Sequence, residues 1–381
     1  MSLEDEAQRE LDELRERSLL RTPRVVDGRQ GPTVVVDGRE VVSFSSNDYL
    51  GLAGDPRLAR AAAAASEVAG AGIGSSRLVV GNHREHVALE AAVADWMRCG
   101  AATMFNTGYA ANVGVLGALL RAGDVVFSDA LNHASIVDGC RLSRAEVVVF
   151  PHRDLVALER ELVQRTDRRR RIVVSESLFS MDGDCADVAA LAELCCRHDA
   201  AWILDEAHAV GVRGPEGRGF AAEAGVVPDV LIGTFGKALG SFGAFAATTP
   251  AIAALLWNRA RPLVFSTGLP PAVAAASRAA IEVVRGSEGD ERRRMLAARA
   301  TRLRELVPDL GGIAEGPIAP RLVGSDAAVM KLSARLFEER LYVQGIRPPT
   351  VPIGTARLRI SLSSAHTVEM VEQLARSLVR S

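Results

Sequence analysis

The segment Ile232-Gly233-Thr234-Phe235-Gly236-Lys237-Ala238-Leu239-Gly240 follows an apolar run and sets a single lysine in a turn of small residues. Upstream, Trp202-Ile203-Leu204-Asp205-Glu206-Ala207-His208 reads as an apolar strand ending in an aspartate, with a histidine three residues on. A lysine can form a Schiff base, and a carboxylate at a strand end can keep a pyridine nitrogen protonated so that the ring accepts electrons. Together they meet the needs of pyridoxal phosphate. A nucleotide-binding P-loop is the competing reading of Gly233 to Lys237. It requires four residues between its first glycine and the Gly-Lys pair, then Ser or Thr. Here only Thr234 and Phe235 intervene and Ala238 follows. A lone lysine in a glycine-rich turn is often only a solvated loop residue; Asp205 and His208 upstream weigh against that here.

Three other clusters can serve the same chemistry. Asn106-Thr107-Gly108-Tyr109-Ala110-Ala111-Asn112 joins a strand to a helix. Its glycine lets backbone N–H groups approach a phosphate where the helix dipole favours an anion. Asp129-Ala130-Leu131-Asn132-His133-Ala134-Ser135 follows another strand. An aromatic group here could stack on a pyridine face; the alternative is a helix capped by Asn132 with an exposed histidine. Ser175 to Asp184 follows a third strand, where Ser180 could bond near a cofactor oxygen and Asp182-Gly183 is an ordinary turn. Near the C-terminus, Arg357 and Arg359 share one strand face by the period of two. An arginine fork suits an amino-acid carboxylate, although strand arginines are as often simply solvated.

The elements that must position these groups are legible in outline. Leu3, Leu11, Leu14 and Leu19 among charges predict an N-terminal amphipathic helix, and Asp37-Gly38 marks a hairpin within 34–44. Apolar stretches at 101–105, 124–128, 146–150, 171–175, 201–205, 229–234 and 243–247 read as seven strands. Helical segments lie between most of them, as at 109–120, 134–143, 154–164 and 187–197. That alternation predicts an α/β domain with a mostly parallel seven-stranded sheet covered on both faces, its ligands bound beyond the carboxyl ends of the strands. After about 290 the pattern changes to a charged helix, a Gly/Pro-rich stretch and short strands with helices, a smaller α+β domain. The expected division is 1–45 (helix and hairpin), 46–290 (large α/β domain) and 291–381 (small C-terminal domain).

Composition narrows the function class. The 381 residues are 48% hydrophobic and 24% charged, with a formal net charge of -2, which argues against nucleic acid or an anionic membrane as a partner. The basic run Arg168 to Arg171 reads as a solvated loop. Cys99, Cys140, Cys185, Cys195 and Cys196 make neither a redox pair nor a zinc knuckle, and read as reduced, mostly buried thiols. His83 and His86 lie one helical turn apart without a third ligand and read as helix-face residues, so no metal is expected. The N-terminus is acidic where a targeting peptide would be basic, and no apolar run reaches membrane-spanning length. The expectation is a cytoplasmic protein.

The assembled motifs resemble the α-oxoamine synthases, fold-type I pyridoxal-phosphate transferases with the aspartate-aminotransferase-like architecture. The resemblance rests on Ser45-Ser46-Asn47-Asp48-Tyr49-Leu50-Gly51-Leu52, the Gly108 to Asn112 turn, Asn132-His133-Ala134-Ser135, Phe179-Ser180-Met181-Asp182-Gly183, Asp205 to His208, Gly233 to Lys237, and Arg357-Leu358-Arg359. It runs in order over nearly the whole chain. The family condenses an amino acid with an acyl thioester and releases CO2. Ile346-Arg347-Pro348-Pro349-Thr350-Val351-Pro352, Phe265 to Pro271 and Arg21 resemble the branch that serves biotin biosynthesis. That branch joins L-alanine to pimeloyl-CoA or a pimeloyl-acyl carrier protein. Two departures are Gly268, where a serine is frequent, and the Gly72 to Arg77 loop, where a glycine is more usual at one serine position.

The resemblance implies a role for each residue. Lys237 is the Schiff-base lysine and acid/base, Asp205 pairs with the pyridine nitrogen, His208 with the ring hydroxyl oxygen, and His133 stacks on the ring. Gly108, Tyr109, Ser180 and Thr234 hold cofactor and phosphate. Asn47 and Arg359, with His133, bind the amino acid; Arg21 and Thr350 line the acyl side. Family members are homodimers with the site at the interface, so Ser266 and Thr267 would reach the partner's phosphate. The competing expectations are a sibling such as glycine C-acetyltransferase, acting with acetyl-CoA, and a catalytically silent partner subunit.

Overall fold

The computed structural model describes residues 2–380, which fall into two units. One comprises Asp48–Ser180 and Asp184–Arg294. Its seven-stranded sheet has the spatial order Ala101–Phe105, Ala244–Thr248, Val230–Thr234, Ala201–Asp205, Arg171–Glu176, Val125–Asp129, Glu146–Phe150. All seven are the strands expected from the sequence. Six run in the same direction; Ala244–Thr248 is antiparallel to both of its neighbours. The central strands are buried on both faces, which is why they read as continuous β-branched and apolar runs rather than as alternating ones.

Helices on the sheet complete the core. Gly108–Leu119 is apolar nearly all round and packs against Ala134–Leu142. They approach closely because Gly139 has no Cβ; one built there would stand 2.7 Å from Leu116 Cδ1. Phe105, Val115, Leu116, Val126, Ile136, Ile172, Ile203 and Ile232 belong to one buried cluster. Each large apolar side chain so buried contributes roughly 1.5–3 kcal/mol. This rigid layer delivers four polar strand-end residues to one edge of the sheet: Asp129, Glu176, Asp205 and Thr234.

The second unit comprises the residues up to Asn47, Met181–Gly183, and those from Met295 onward. The expected N-terminal helix is Leu3–Glu16, and the expected hairpin pairs Thr33–Val36 with Arg39–Ser43. A second sheet has the order Ile318–Gly324, Ala356–Ser361, Gln344–Ile346, with Ala356–Ser361 buried throughout. Among the described residues no helix is long and apolar enough to cross a membrane.

Two expectations need correcting. The arginine run at 168–171 is a loop only as far as Arg170, exposed at Arg168 and Arg169, and it is paired rather than simply solvated. Arg169 pairs with the buried Asp124 at 2.5 Å, Arg168 with Glu146, and Arg170 donates to the Leu119 carbonyl. Arg171 opens a strand and donates to the His198 and Asp199 carbonyls. The run closes the amino-terminal end of the sheet, and its partners come from elsewhere in the chain. The cysteines are all free, but only Cys140 and Cys195 are buried, and Cys196 is exposed.

Candidate active site

Lys237 lies in the turn after Val230–Thr234, half-buried, its Nζ 2.7 Å from His208 Nε2. The other ring nitrogen, His208 Nδ1, is 2.7 Å from the Tyr49 hydroxyl. An ammonium has only donors, so a charged Lys237 makes Nε2 the acceptor and leaves the ring proton on Nδ1, donated to Tyr49. The lysine turn is held by its backbone: Gly240 N–H donates to the Lys237 carbonyl and Ser241 N–H to that of Phe235. Two glycines are required. A Cβ on Gly233 would stand 2.2 Å from the Phe245 ring; one on Gly240, whose φ is +63°, would strike Ala53 N at 2.2 Å. Thr234 ends the strand with its hydroxyl donating to the Gly243 carbonyl and accepting from Gly236 N–H.

Asp205 is buried at the end of its strand. Its Oδ1 accepts from Ala207 N–H at 2.8 Å and its Oδ2 from Asn112 Nδ2 at 2.7 Å. Asn112 also donates to Ser135 Oγ, so the carboxylate is oriented from the Gly108–Leu119 helix. Glu176 is the cross-strand neighbour of Asp205, on the same face of the sheet. Two carboxylates so placed repel. Burial, with the Asp205 charge added to it, pushes Glu176 up to about 8, so at neutral pH Glu176 carries the proton and adds no second charge beside Asp205.

His133 corrects one alternative. Asn132 does not cap the following helix; it is buried, donating to the Val174 carbonyl and Ser128 Oγ and accepting from Glu176 N–H. The cap is His133, whose Nδ1 accepts from Ser135 N–H. Its own N–H donates to Glu176 Oε1 at 2.6 Å. His133 is exposed, as the alternative had it; desolvation by the groups around it holds its pKa below the ordinary value, with Asp205 and Lys237 pulling in opposite directions.

Gly108 and Tyr109 open a helix whose cap, Thr107, accepts from Ala110 N–H. Among the described residues the backbone N–H groups of Gly108 and Tyr109 have no acceptor, and a Cβ on Gly108 would meet nothing within 4 Å. The Tyr109 hydroxyl donates to Asp138 at 2.5 Å. Ser180 is buried in the turn after Arg171–Glu176. Ser266 is half-buried and Thr267 exposed; the Thr267 carbonyl accepts from Asn106 Nδ2, and Thr267 bridges to Ser76.

In the other unit Arg359 is buried, donating to Asn47 Oδ1 at 3.0 Å and Ser361 Oγ at 2.7 Å. Arg357 is buried too, but its guanidinium meets Asp182 Oδ1 at 2.5 Å. Neither is the solvated strand arginine that composition allowed. Arg21 and Thr350 are exposed and lie together, Arg21 NH2 being 3.4 Å from Thr350 Oγ1.

The arrangement fits pyridoxal phosphate. Two unclaimed N–H groups at a helix N-terminus suit a phosphate, a buried and oriented carboxylate suits a pyridinium, and a half-buried lysine on a histidine suits a carbonyl. Sequence reasoning missed Tyr49, Asn112 and Glu176 as supports. The signal for Glu176 was available, since it ends its strand as Asp205 ends the next.

Comparison with known proteins agrees. The family model for aminotransferase class I and II matches residues 39–378. The 8-amino-7-oxononanoate synthase of Geobacter sulfurreducens is 49% identical over 376 residues, 97% of this chain and 96% of that one. A solved serine palmitoyltransferase from S. paucimobilis with a bound PLP–myriocin aldimine has a TM-score of 0.91 at 29% identity, covering 98% of this chain and 96% of that one. The 8-amino-7-oxononanoate synthase from Francisella tularensis gives 0.76 at 27% identity, covering 89% and 97%. The motif resemblance, the sheet and the lysine-bearing turn thus converge: the chain belongs to the class I and II aminotransferase family, as a fold-type I pyridoxal-phosphate enzyme of the α-oxoamine synthase branch that holds the 8-amino-7-oxononanoate synthases.

Proposed function

We propose that this enzyme condenses L-alanine with a pimeloyl thioester, carried on coenzyme A or on acyl carrier protein, to give 8-amino-7-oxononanoate, CO2 and the free thiol carrier. The observation that carries the reading is the Lys237–His208 contact beside the buried Asp205; the name of the relatives that are nearly half identical supports the substrates. Bound pyridoxal phosphate supplies an electron sink for a carbanion at the amino-acid α-carbon. Lys237 moves the α-proton, and His208 holds the lysine amine in place beforehand. Asp205 keeps a proton on the pyridine nitrogen, and Asn112 fixes the direction of that carboxylate. His133 stacks on the ring. Gly108 and Tyr109 offer N–H groups to the phosphate, with Ser180 and Thr234 as further polar contacts. Arg359 and Asn47 take the carboxylate of alanine, while Arg21 and Thr350 serve the acyl chain.

The enzyme works as a cytoplasmic homodimer in this reading. Leu78, Val79 and Val80 stand exposed in the segment that Ser76 bridges to Thr267, as does Phe265 beside Ser266. Exposed apolar side chains on two bridged segments suit a self-complementary interface that brings Ser266 and Thr267 to the partner's phosphate.

Steady-state kinetics of the holoenzyme with alanine, glycine and serine, each crossed with pimeloyl, acetyl and succinyl thioesters, tests the substrates. The highest kcat/KM is expected for alanine with the pimeloyl donor; a preference for glycine with acetyl-CoA would assign the chain to a sibling activity. The same assay tests the carboxylate site. Arg359→Lys loses a planar, directional fork and is expected to raise the alanine KM at least about tenfold, with little change for the thioester. Arg357→Lys should alter neither, because that guanidinium already serves Asp182. Sensitivity at Arg357 instead would misplace the site.

A further inference from the structure

His152 follows the edge strand Glu146–Phe150 and has no part in the chemistry described above. Its Nδ1 lies 2.8 Å from Asp129 Oδ1 and its Nε2 2.9 Å from Asp184 Oδ2. Both ring nitrogens face carboxylate oxygens, so both must donate, and the ring is an imidazolium. The Phe179 ring meets it edge to face, 4.4 Å between centroids at 88°. The two carboxylates belong to different turns. Asp129 begins the turn to His133: its carboxylate also accepts from Leu131 N–H and Arg153 N–H, and its carbonyl from Asn132 N–H. Asp184 closes the turn that holds Ser180: its carbonyl accepts from Phe179 N–H, and its carboxylate also takes the Arg153 guanidinium.

We propose that His152 is a positioning residue for cofactor binding, clasping the turn that carries His133 to the turn that carries Ser180 through Asp129 and Asp184. The inference rests on the reading of His133 and Ser180 as cofactor contacts. Neither turn belongs to the sheet itself; the His152 ring spans the two through its own nitrogens, and the adjacent Arg153 backs it with its backbone N–H on Asp129 and its guanidinium on Asp184. The charged groups around it are Asp129 and Asp184 on either side and Arg153 beside it, with Cys185 near Asp184 and Glu176 near Asp129.

Burial works against the charge of His152, but the hydrogen bonds and charges of Asp129 and Asp184 outweigh it and push the pKa up to about 9. A raised histidine pKa stabilises the folded state fully below the ordinary value near 6.5 and loses that effect as pH rises through about 9. The clasp should therefore open on the alkaline side.

The test uses full-length wild type, His152→Gln and Asp184→Asn. Melting of the cofactor-free proteins is followed from pH 6 to pH 10, and the dissociation constant for pyridoxal phosphate is measured by titration. His152→Gln should melt below wild type at pH 6.5, with the gap closing through pH 9. Its dissociation constant at pH 7 should rise roughly tenfold, the lower scale on which groups that orient a ligand's direct contacts act in metal sites. Asp184→Asn keeps the Asp129 arm and should show smaller shifts of the same sign. A pH-independent melting gap, or lowered melting with unchanged cofactor affinity in both variants, overturns the proposal. Failure of wild type itself to take up pyridoxal phosphate would overturn the underlying reading as well, so the two failures are distinguishable.

Discussion

Lys237→Ala is expected to cut turnover roughly a thousandfold or more while leaving a folded protein that takes up pyridoxal phosphate weakly and without a covalent link. The lysine combines two functions whose loss cannot be shared out, nucleophile toward the cofactor carbonyl and proton carrier at the α-carbon. The fold should tolerate the change, because the turn is closed by the Gly240–Lys237 and Ser241–Phe235 backbone bonds, which need no side chain. What goes with the amine is the contact to His208 Nε2; the Tyr49 hydroxyl still holds the opposite nitrogen. Wild type should be yellow and should gain the mass of the cofactor at Lys237 after borohydride reduction. The variant should lose that adduct and its turnover together. Unchanged turnover would remove Lys237 from the reaction.

Asp205→Asn is the second large effect. The substitution keeps the size of the side chain and removes the charge that holds a proton on the pyridine nitrogen. A loss of about 10²–10³ in kcat is expected, the scale measured when one preorganised electrostatic contact is deleted. The site adds a second consequence. Both carboxylate oxygens are accepting, from Ala207 N–H and from Asn112 Nδ2. An asparagine must turn its own NH2 toward one of those donors, leaving a buried donor unsatisfied, which costs about 1–3 kcal/mol. Thermal melting should fall along with kcat. A variant with near-wild-type kcat and lowered melting would make Asp205 structural and end the electron-sink argument.

The parts of this site that were legible beforehand share a physical origin. The runs ending in Asp205 and in Thr234 are buried on both faces, so burial shows as an unbroken apolar stretch, and a polar residue at its end stands out. Lys237 stands out because glycines at 233 and 240 are required by a close approach and a left-handed turn, and such demands leave a mark in residue type. The arginine pair was only half legible. A period of two places Arg357 and Arg359 on one face, but nothing local shows that Asp182 takes Arg357 while Asn47 and Ser361 take Arg359. The partners of the basic run at 168–171 were hidden for the same reason, since Asp124 and the carbonyl it caps lie far away in the chain.

By itself the sequence determined the seven strands, the helices between them, the lysine turn and the chemistry that a lysine, a carboxylate and a histidine at those places can perform. These follow from local burial, backbone conformation and residue type, each written within a few neighbouring positions. Only the tertiary structure decided the order in which the strands pair and the insertion of Ala244–Thr248 antiparallel between Ala101–Phe105 and Val230–Thr234. It alone decided that Tyr49 serves His208, that Asn112 orients Asp205, and that His152 joins Asp129 to Asp184. A hydrogen bond is directional and short, and its partners here are separated by tens to more than a hundred residues. No periodicity along the chain encodes such a pairing; it exists only once the packed sheet has brought the strand ends to one edge.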